Sequence, residues 1–310
     1  MRLINTTTFA LEEFLSADDE HPYAILSHTW DEDEVTFQDW ENLGPEVRRQ
    51  KKGFAKIEQT CIIAKQRGLQ YAWVDTCCIN KESSAELTEA INSMFAWYQQ
   101  ATFCLVYLSD LPAHEPSFPD PLLPACRWWT RGWTLQELIA PRNLNFYDCE
   151  WNDHGGKRMR SEEVSKITGI DLAALENINS LKSMPVGRKM SWAALRQTTR
   201  EEDMAYCLLG IFDVNMSLIY GERGKAFTRL QEEILKKTND MTLFAWTCQK
   251  QGQQSKPSST LTPKGCKSQM YRGILARSPV EFVNCREVMP DHALQLNKES
   301  ALTNSGLRIK

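Results

Sequence analysis

The stretch Tyr23-Ala-Ile-Leu-Ser-His28 decides the predicted fold. A short, continuous apolar run of this kind is typical of a β-strand that is buried on both faces. Residues 54–67 follow with apolar side chains at helical spacing. Three more apolar runs, at 71–75, 102–108 and 143–147, complete a pattern of strands that alternate with helices. This pattern predicts an α/β fold, with a parallel sheet flanked by helices.

Changes in composition along the chain predict three regions. Residues 1–150 hold the four predicted strands and form the α/β core. Residues 151–240 carry amphipathic helical patterns and form a helical C-terminal extension that packs on the core. Residues 241–310 are a linker and a partial C-terminal region of uncertain fold, because 249–267 is rich in Gln, Ser, Pro and Lys. The last residues, up to Lys310, have a strand-like pattern, so we expect a fragment of a longer protein.

The composition argues against several classes of function. The 310 residues carry a net charge of −4 with both signs interspersed, so no basic stripe is available for nucleic acid. No apolar run approaches the roughly 18 residues of a membrane span, which predicts a cytoplasmic protein without membrane contact. The ten cysteines include no Cys-x-x-Cys pair, which indicates reduced thiols and no metal site.

The sequence also predicts a binding site at one edge of the sheet. Ligands of such sheets bind at the carboxyl ends of the strands, where the strand order reverses. With the predicted order 2-1-3-4, that point lies between the first and third strands. Trp133 and Glu137 are four residues apart and would share one face of a helix near this point. We expect Glu137 at the mouth of a small-molecule pocket. The candidate residues are Ser27, His28, Thr29, Trp30, Asp75, Cys77, Trp97, Arg131, Trp133 and Glu137.

Each candidate also has an ordinary structural explanation. Glu137 could be a solvated helix residue, His28 a hydrogen-bonded histidine at a strand end, and the tryptophans part of the core. Cys77 has no neighbouring base in the sequence that would mark it as a nucleophile. Neither a Gly-x-x-x-x-Gly-Lys loop nor a Gly-x-Gly-x-x-Gly motif occurs. The residues alone therefore predict a pocket with an acid and aromatic rings, and no particular reaction.

Several motif blocks resemble the fungal heterokaryon incompatibility (HET) domain. The later run Thr199-Arg-Glu-Glu-Asp-Met-Ala-Tyr-Cys-Leu-Leu-Gly-Ile-Phe-Asp213 is similar to the tail of that family, and the resemblance covers roughly residues 20 to 235. It implies a fungal allorecognition and cell-death module. The main blocks are Tyr23-Ala-Ile-Leu-Ser-His-Thr-Trp30, Trp73-Val-Asp-Thr-Cys-Cys-Ile-Asn-Lys81, Glu89-Ala-Ile-Asn-Ser-Met-Phe-Ala-Trp-Tyr98 and Arg131-Gly-Trp-Thr-Leu-Gln-Glu-Leu-Ile-Ala-Pro141.

HET domains are in turn distantly similar to TIR domains, which have a flavodoxin-like parallel sheet. Plant-type TIR domains carry the motif Trp-Cys-Leu-Asp-Glu-Leu, in which the glutamate is the catalytic residue of NAD cleavage. Trp133-Thr-Leu-Gln-Glu-Leu138 resembles that motif, so the resemblance assigns the catalytic role to Glu137. Thr134 and Gln136 depart from the pattern.

The resemblance favours an NAD nucleosidase that takes NAD or a related nucleotide as its substrate. It implies no cofactor and no metal. Self-association is expected to complete the pocket, and a receptor-type incompatibility protein is a possible partner. Two alternatives stay open: a non-enzymatic interaction module that signals death through partner contacts, and a sensor that binds nucleotides without turnover.

Overall fold

The computed structural model describes residues 1–15, 21–248, 273–289, 300–303 and 306–309. Its centre is a seven-stranded sheet with the order β2-β1-β4-β3-β5-β6-β7. The strands are β1 Arg2–Asn5, β2 Leu11–Glu13, β3 Tyr23–His28, β4 Tyr71–Trp73, β5 Phe103–Tyr107, β6 Leu144–Tyr147 and β7 Asp153–Gly156.

The four predicted strands are confirmed as β3, β4, β5 and β6. They are parallel, and their order in the sheet is the predicted 2-1-3-4. β3 lies between two parallel neighbours, with Ala24 paired to Ala72 on one side and to Phe103 on the other. All six residues of β3 are buried, as its continuous apolar sequence predicts.

The edges of the sheet differ from the prediction. β1 and β2 add an antiparallel pair beside β4, and β7 pairs antiparallel with β6. These strands are three or four residues long and two of them are mostly polar or glycine, so they lack the apolar run that marks a strand. β7 lies beyond residue 150, so the sheet extends past the predicted end of the core. β4 ends at Trp73, and Asp75 begins a short helix.

Helices flank the sheet and continue into the predicted extension. None of the helices in the described ranges is long and apolar enough to cross a membrane. Those of the core are α1 Phe37–Asn42, α2 Pro45–Arg49, α3 Phe54–Gln66, α4 Asp75–Cys78, α5 Ser84–Gln100 and α6 Thr134–Ile139. Those of the extension are α7 Ser161–Thr168, α8 Leu172–Glu176, α9 Val186–Ser191, α10 Asp203–Tyr206, α11 Leu209–Phe212 and α12 Lys225–Lys237. Short 3-10 helices are Leu123–Ala125, Arg127–Thr130, Ile178–Ser183, Met241–Phe244 and Pro279–Phe282.

The extension and the core share one hydrophobic interior. A single cluster of buried side chains runs from Leu3 in β1 to Leu230 in α12. The predicted linker at 249–267 and the terminal Lys310 lie outside the described residues. Near the end of the chain, β8 Ser300–Thr303 and β9 Gly306–Ile309 form an antiparallel pair.

The cysteines of the described residues form no disulfide. Seven of these nine cysteines are buried, and Cys149 and Cys248 are exposed. Burial raises the pKa of Cys61 and of Cys126 to about 12, so these thiols stay protonated and behave as small apolar side chains.

Gly210 lets the extension approach the core closely. A Cβ at Gly210 in α11 would lie 2.0 Å from the Cβ of Phe95 in α5, and neither backbone can yield freely. We expect Gly210→Ala to lower the free energy of unfolding by about 1–3 kcal/mol, measured by urea denaturation. Gly44→Ala is the control, because its Cβ would meet nothing within 4 Å and its φ is −65°. Equal losses in both variants would contradict a tight contact at Gly210.

Candidate functional site

A cleft of about 360 Å³ opens at the carboxyl ends of β3 and β4, at the edge where the sequence places a site. Pockets for small ligands span about 300–1,000 Å³, so the volume suits a nucleoside-sized group. One wall comes from the core and includes His28, Asp75 and Glu137. The opposite wall comes from the extension, through Thr199, Arg200, Asp203 and Tyr220. Ile79, Leu87, Ile91 and Met94 supply apolar surface.

Glu137 reaches the cleft from α6, a helix whose six residues are all buried. Its residue is only 8% exposed, so the expectation that it sits at the mouth of the pocket is wrong. The hydroxyl of Ser27 at the end of β3 donates a 2.5 Å hydrogen bond to Oε2 of Glu137. The indole Nε1 of Trp128 donates in turn to Oγ of Ser27 at 2.9 Å. This chain of bonds fixes the carboxyl group at the wall of the cleft.

The surroundings of Glu137 disfavour its charged form. Burial raises the pKa of Glu137 to about 8, and the negative charge of Asp75 acts in the same direction. The hydrogen bond from Ser27 and the charge of Arg196 oppose that increase without cancelling it. Glu137 is therefore mostly protonated at pH 7, and a cation in the cleft would favour its ionisation.

Asp75 is the second acid of the cleft and has the opposite character. Burial alone would raise its pKa, but the Lys81 ammonium and hydrogen bonds from His28 and Trp30 lower the pKa of Asp75 to about 2. His28 Nε2 lies 3.2 Å from Oδ1, and Trp30 Nε1 donates to Oδ2 at 2.9 Å. One cleft therefore holds an ionised and a protonated carboxyl group, a pairing typical of acid–base and charge-stabilising sites.

His28 is oriented from behind by Lys56 of α3. The Lys56 ammonium lies 3.3 Å from Nδ1 of His28 and also donates to Glu34 and Asp31 at 2.5 and 2.8 Å. Because an ammonium group can only donate, this contact favours the tautomer with the proton on Nε2. That proton then points at Asp75, so Lys56 helps to hold the aspartate in place.

The wall from the extension carries its own polar network. The hydroxyl of Tyr220 donates to Oδ1 of Asp203 at 3.0 Å, and burial raises the pKa of Asp203. The guanidinium of Arg200 lies over the Tyr220 ring, 4.4 Å from its centroid. Arg131 of the core donates to Oγ1 of Thr199 in the extension at 3.1 Å. Two guanidinium groups, those of Arg131 and Arg200, therefore line the cleft together with Glu137.

Backbone hydrogen bonds join the two walls next to α6. Gly132 N donates to Gln197 O at 2.8 Å, and Gln197 N donates to Thr130 O at 2.7 Å. The buried Arg196 donates to Arg131 O at 2.8 Å and to Thr134 Oγ1 at 2.9 Å. The extension thus fixes the start of the helix that carries Glu137.

Comparisons with known proteins bear on the family of the chain. The sequence model of the heterokaryon incompatibility protein (HET) family matches residues 23–123. The vegetative incompatibility protein HET-E-1 of Podospora anserina is 47% identical to the chain over 221 residues. The chain carries a HET domain. The aligned part covers 69% of this chain and 16% of the relative's length.

A second model, described as a domain of unknown function (DUF8212), matches residues 225–305, which begin with α12. No solved structure matches the chain. The similarity to TIR domains therefore stays a prediction from the sequence motifs.

The structure brings most of the candidate residues together. His28, Thr29, Trp30, Asp75, Arg131, Trp133 and Glu137 line the cleft, and Ser27 contacts Glu137 from behind it. The face of Trp30 is covered by the Lys81 ammonium, 3.4 Å from the ring centroid. Trp133 is therefore the better placed of the two rings to contact a ligand.

Two candidates lie outside the cleft. Cys77 is fully buried, and its thiol faces Val74 O at 3.8 Å. Trp97 lies one turn beyond the α5 residues that face the cleft, and its ring packs on Trp73 at 5.7 Å. The structure does not bring these two side chains to the cleft, because both pack in the core.

Sequence reasoning missed the residues that the extension and the loop after α4 contribute. Lys81, Arg200, Asp203 and Tyr220 line the cleft, and Arg196 supports it. The polar run Thr199-Arg-Glu-Glu-Asp203 could have indicated some of these residues, because it belongs to one of the motif blocks. It does not follow a predicted strand, so the sequence offered no reason to place it at the edge of the sheet. Within the described ranges, the side chains that are close enough together to hold a metal ion are His114, Asp120 and His154. None of these three residues lines the cleft.

Proposed function

We propose that the HET domain of this chain is a cell-death effector of fungal incompatibility that hydrolyses NAD at the bond between nicotinamide and ribose. The family match and the relative named a vegetative incompatibility protein support the biological role. The chemistry rests on one observation, which is the carboxyl group of Glu137 held in a partly apolar cleft beside the ionised Asp75.

The proposed reaction breaks the bond between the anomeric carbon of ribose and the nicotinamide nitrogen. Both electrons go to the nitrogen, so nicotinamide leaves as a neutral molecule. The ribose passes through an oxocarbenium-like state, as in glycoside hydrolysis. Ionised Glu137 would stabilise that cation, and water would then add to the anomeric carbon and release a proton. The positive nicotinamide ring of bound NAD would itself favour the ionised form of Glu137.

The lining of the cleft suits one half of this substrate. Ile91 and Met94 offer apolar surface to a nicotinamide ring, and the face of Trp133 can attract its positive charge. Arg131 and Arg200 lie at the cleft where phosphate groups would leave it, and guanidinium groups bind phosphates well. The adenosine half would extend beyond a volume of about 360 Å³, where a second copy of the domain could cover it.

Incubation of the purified chain with NAD tests the proposal, with nicotinamide release as the readout. Release of nicotinamide and ADP-ribose supports it. Thermal stabilisation by NAD without turnover would instead support a nucleotide sensor. Neither binding nor turnover at high protein concentration would leave the interaction module as the better explanation.

The raised pKa of Glu137 predicts how the reaction depends on pH. The proposed active form has an ionised Glu137, and the pKa of Glu137 is about 8 without substrate. We therefore expect kcat/KM to rise about tenfold per pH unit below pH 8 and to level off above it. The measurement is the initial rate of nicotinamide release between pH 5.5 and 9.5. A rate that falls above pH 8 would show that the protonated form is active, contrary to the proposal.

Self-association is part of the proposal, because a cell-death enzyme must be silent until it is triggered. We expect specific activity to rise with protein concentration or with enforced clustering by a fused oligomerisation domain. Activity and mass should be measured together over a wide concentration range. A monomer with constant specific activity would contradict this part of the proposal alone.

A further inference from the structure

Two histidines and an aspartate meet where the Pro-rich loop after β5 packs against β7. His114 and Asp120 lie in the loop, and His154 lies in β7. One ligand atom from each of the three side chains lies within 4.8 Å of the other two. Asp120 and His154 are fully buried side chains, whereas the side chain of His114 is 24% exposed. These three residues, here called the loop triad, do not line the cleft of Glu137.

His154 directs an unpartnered nitrogen at Asp120. Its Nε2 lies 3.0 Å from Oδ2 of Asp148, a carboxylate that accepts its proton. Nδ1 then carries a lone pair, makes no hydrogen bond, and lies 3.3 Å from Oδ2 of Asp120. A histidine whose second nitrogen donates to a carboxylate is the usual arrangement of a metal ligand.

His114 is oriented in the same way by the backbone. Its Nδ1 lies 2.7 Å from the carbonyl oxygen of Pro112, and a carbonyl can only accept, so Nδ1 carries the proton. The lone pair of Nε2 then faces Oδ2 of Asp120 at 3.0 Å. Three electron-rich atoms therefore point at one another, and protons or a cation must lie between them.

The charges around the loop triad favour a divalent cation. The guanidinium of Arg160 is paired with Glu163 at 2.6 Å. The ion pairs that Asp120 and Asp148 form within the described ranges are with histidines alone. With neutral imidazoles, the nearby Arg160 offsets only part of the charge of Asp120, and a divalent ion would balance the remaining charge of these two buried carboxylates.

We propose that the loop triad binds a divalent transition-metal ion of the zinc type. Two ligand atoms at about 2.0–2.1 Å from a tetrahedral zinc ion are about 3.3–3.4 Å apart. The distances of 3.3 and 3.0 Å from Oδ2 of Asp120 to the two imidazole nitrogens are close to this separation. Water would complete the shell on the exposed side of His114. The ion would fasten the Pro-rich loop to β7.

Zinc binding by untagged, chelator-stripped protein tests the proposal. We expect one equivalent of Zn²⁺ to bind and to raise the melting temperature, and Co²⁺ to give the visible absorption of a tetrahedral site. His114→Gln keeps the size of the side chain and should weaken zinc binding at least roughly a hundredfold. His114→Cys restores a ligand, so it should retain zinc and add a thiolate-to-cobalt absorption band. His21→Gln, a change outside the loop triad, is the matched control.

Two results would overturn the proposal. If wild-type protein binds no zinc and its melting temperature is unchanged by the metal, then protons bridge the three side chains. If His114→Gln binds zinc as wild type does, then the metal is held elsewhere, for example by cysteines. Neither result depends on NAD turnover, so the loop triad and the proposed function are tested separately.

Discussion

Replacing Glu137 with glutamine should lower nicotinamide release from NAD by at least about a hundredfold. Glutamine has nearly the same size, and its side-chain oxygen can still accept the hydrogen bond from Ser27, which lies 2.5 Å from Glu137. What it removes is the negative charge that the proposed oxocarbenium-like state requires. The measurement is kcat/KM near pH 8.5, where wild-type Glu137 is mostly ionised. Fungal cells that express the Glu137→Gln variant should survive, whereas cells that express the wild-type domain should die.

The glutamine variant should also be folded, and its stability should reveal the raised pKa. A carboxyl group whose pKa rises from 4.5 to about 8 on folding contributes stability that is fully present below pH 4.5. This contribution is lost as the pH rises towards 8. The melting temperature of Glu137→Gln should therefore approach that of wild type near pH 4.5 and exceed it increasingly up to about pH 8. A constant difference between the two proteins would show that Glu137 titrates normally.

Glu89→Gln is the matched control for activity. Glu89 lies on the exposed surface of α5, away from the lining of the cleft, so its loss should leave turnover unchanged. Wild-type killing and turnover by Glu137→Gln would show that the carboxyl group is structural. The hydrogen bonds through Ser27 and Trp128 would then be its whole role, and the interaction module would be the better explanation of the domain.

The central strands were predictable because burial on both faces leaves a strong signal. Tyr23–His28 is a continuous apolar run, and the reversal of strand order placed the cleft at its carboxyl end. Asp153–Gly156 gave no such signal, because a polar edge strand is recognised only by its pairing with β6. Periodicity thus predicts the strands that bury apolar faces and misses those that only complete the ladder.

The core half of the cleft was predictable, and the other half was not. Asp75 lies at the end of a predicted strand, and Glu137 lies in the helix between the next two predicted strands. The parallel arrangement of the strands brings the two residues to the same edge of the sheet. Asp203 reaches the cleft through the packing of a separate helix, which no local pattern encodes. The loop triad illustrates the same limit, since Asp120 and His154 are 34 positions apart and their spacing matches no local ligand motif. Trp97 shows the reverse case, because an aromatic ring close to a predicted site in the sequence packs on the core.

Removing the extension should prevent the core from folding into a stable, soluble domain. A chain that ends after residue 160 keeps all seven strands of the sheet but loses α7 to α12. It exposes the face of α5 that contacts Gly210, and the helix of Glu137 loses the bonds from Arg196 and Gln197. An apolar surface of this extent promotes aggregation. We expect insoluble protein, or a soluble form that unfolds without a cooperative transition, as measured by circular dichroism on heating.

A chain that ends after residue 289 is the control, because it retains the extension and the segment that packs on α12. Gln231 of α12 donates to Ala276 O of that segment at 2.8 Å and accepts from Ala276 N at 2.9 Å. This longer chain should melt cooperatively and within a few degrees of the full chain. A soluble, cooperatively melting 1–160 chain would show that the core folds by itself. The cleft would then lie between two separable units, and the proposed activity would be expected to depend on how they dock.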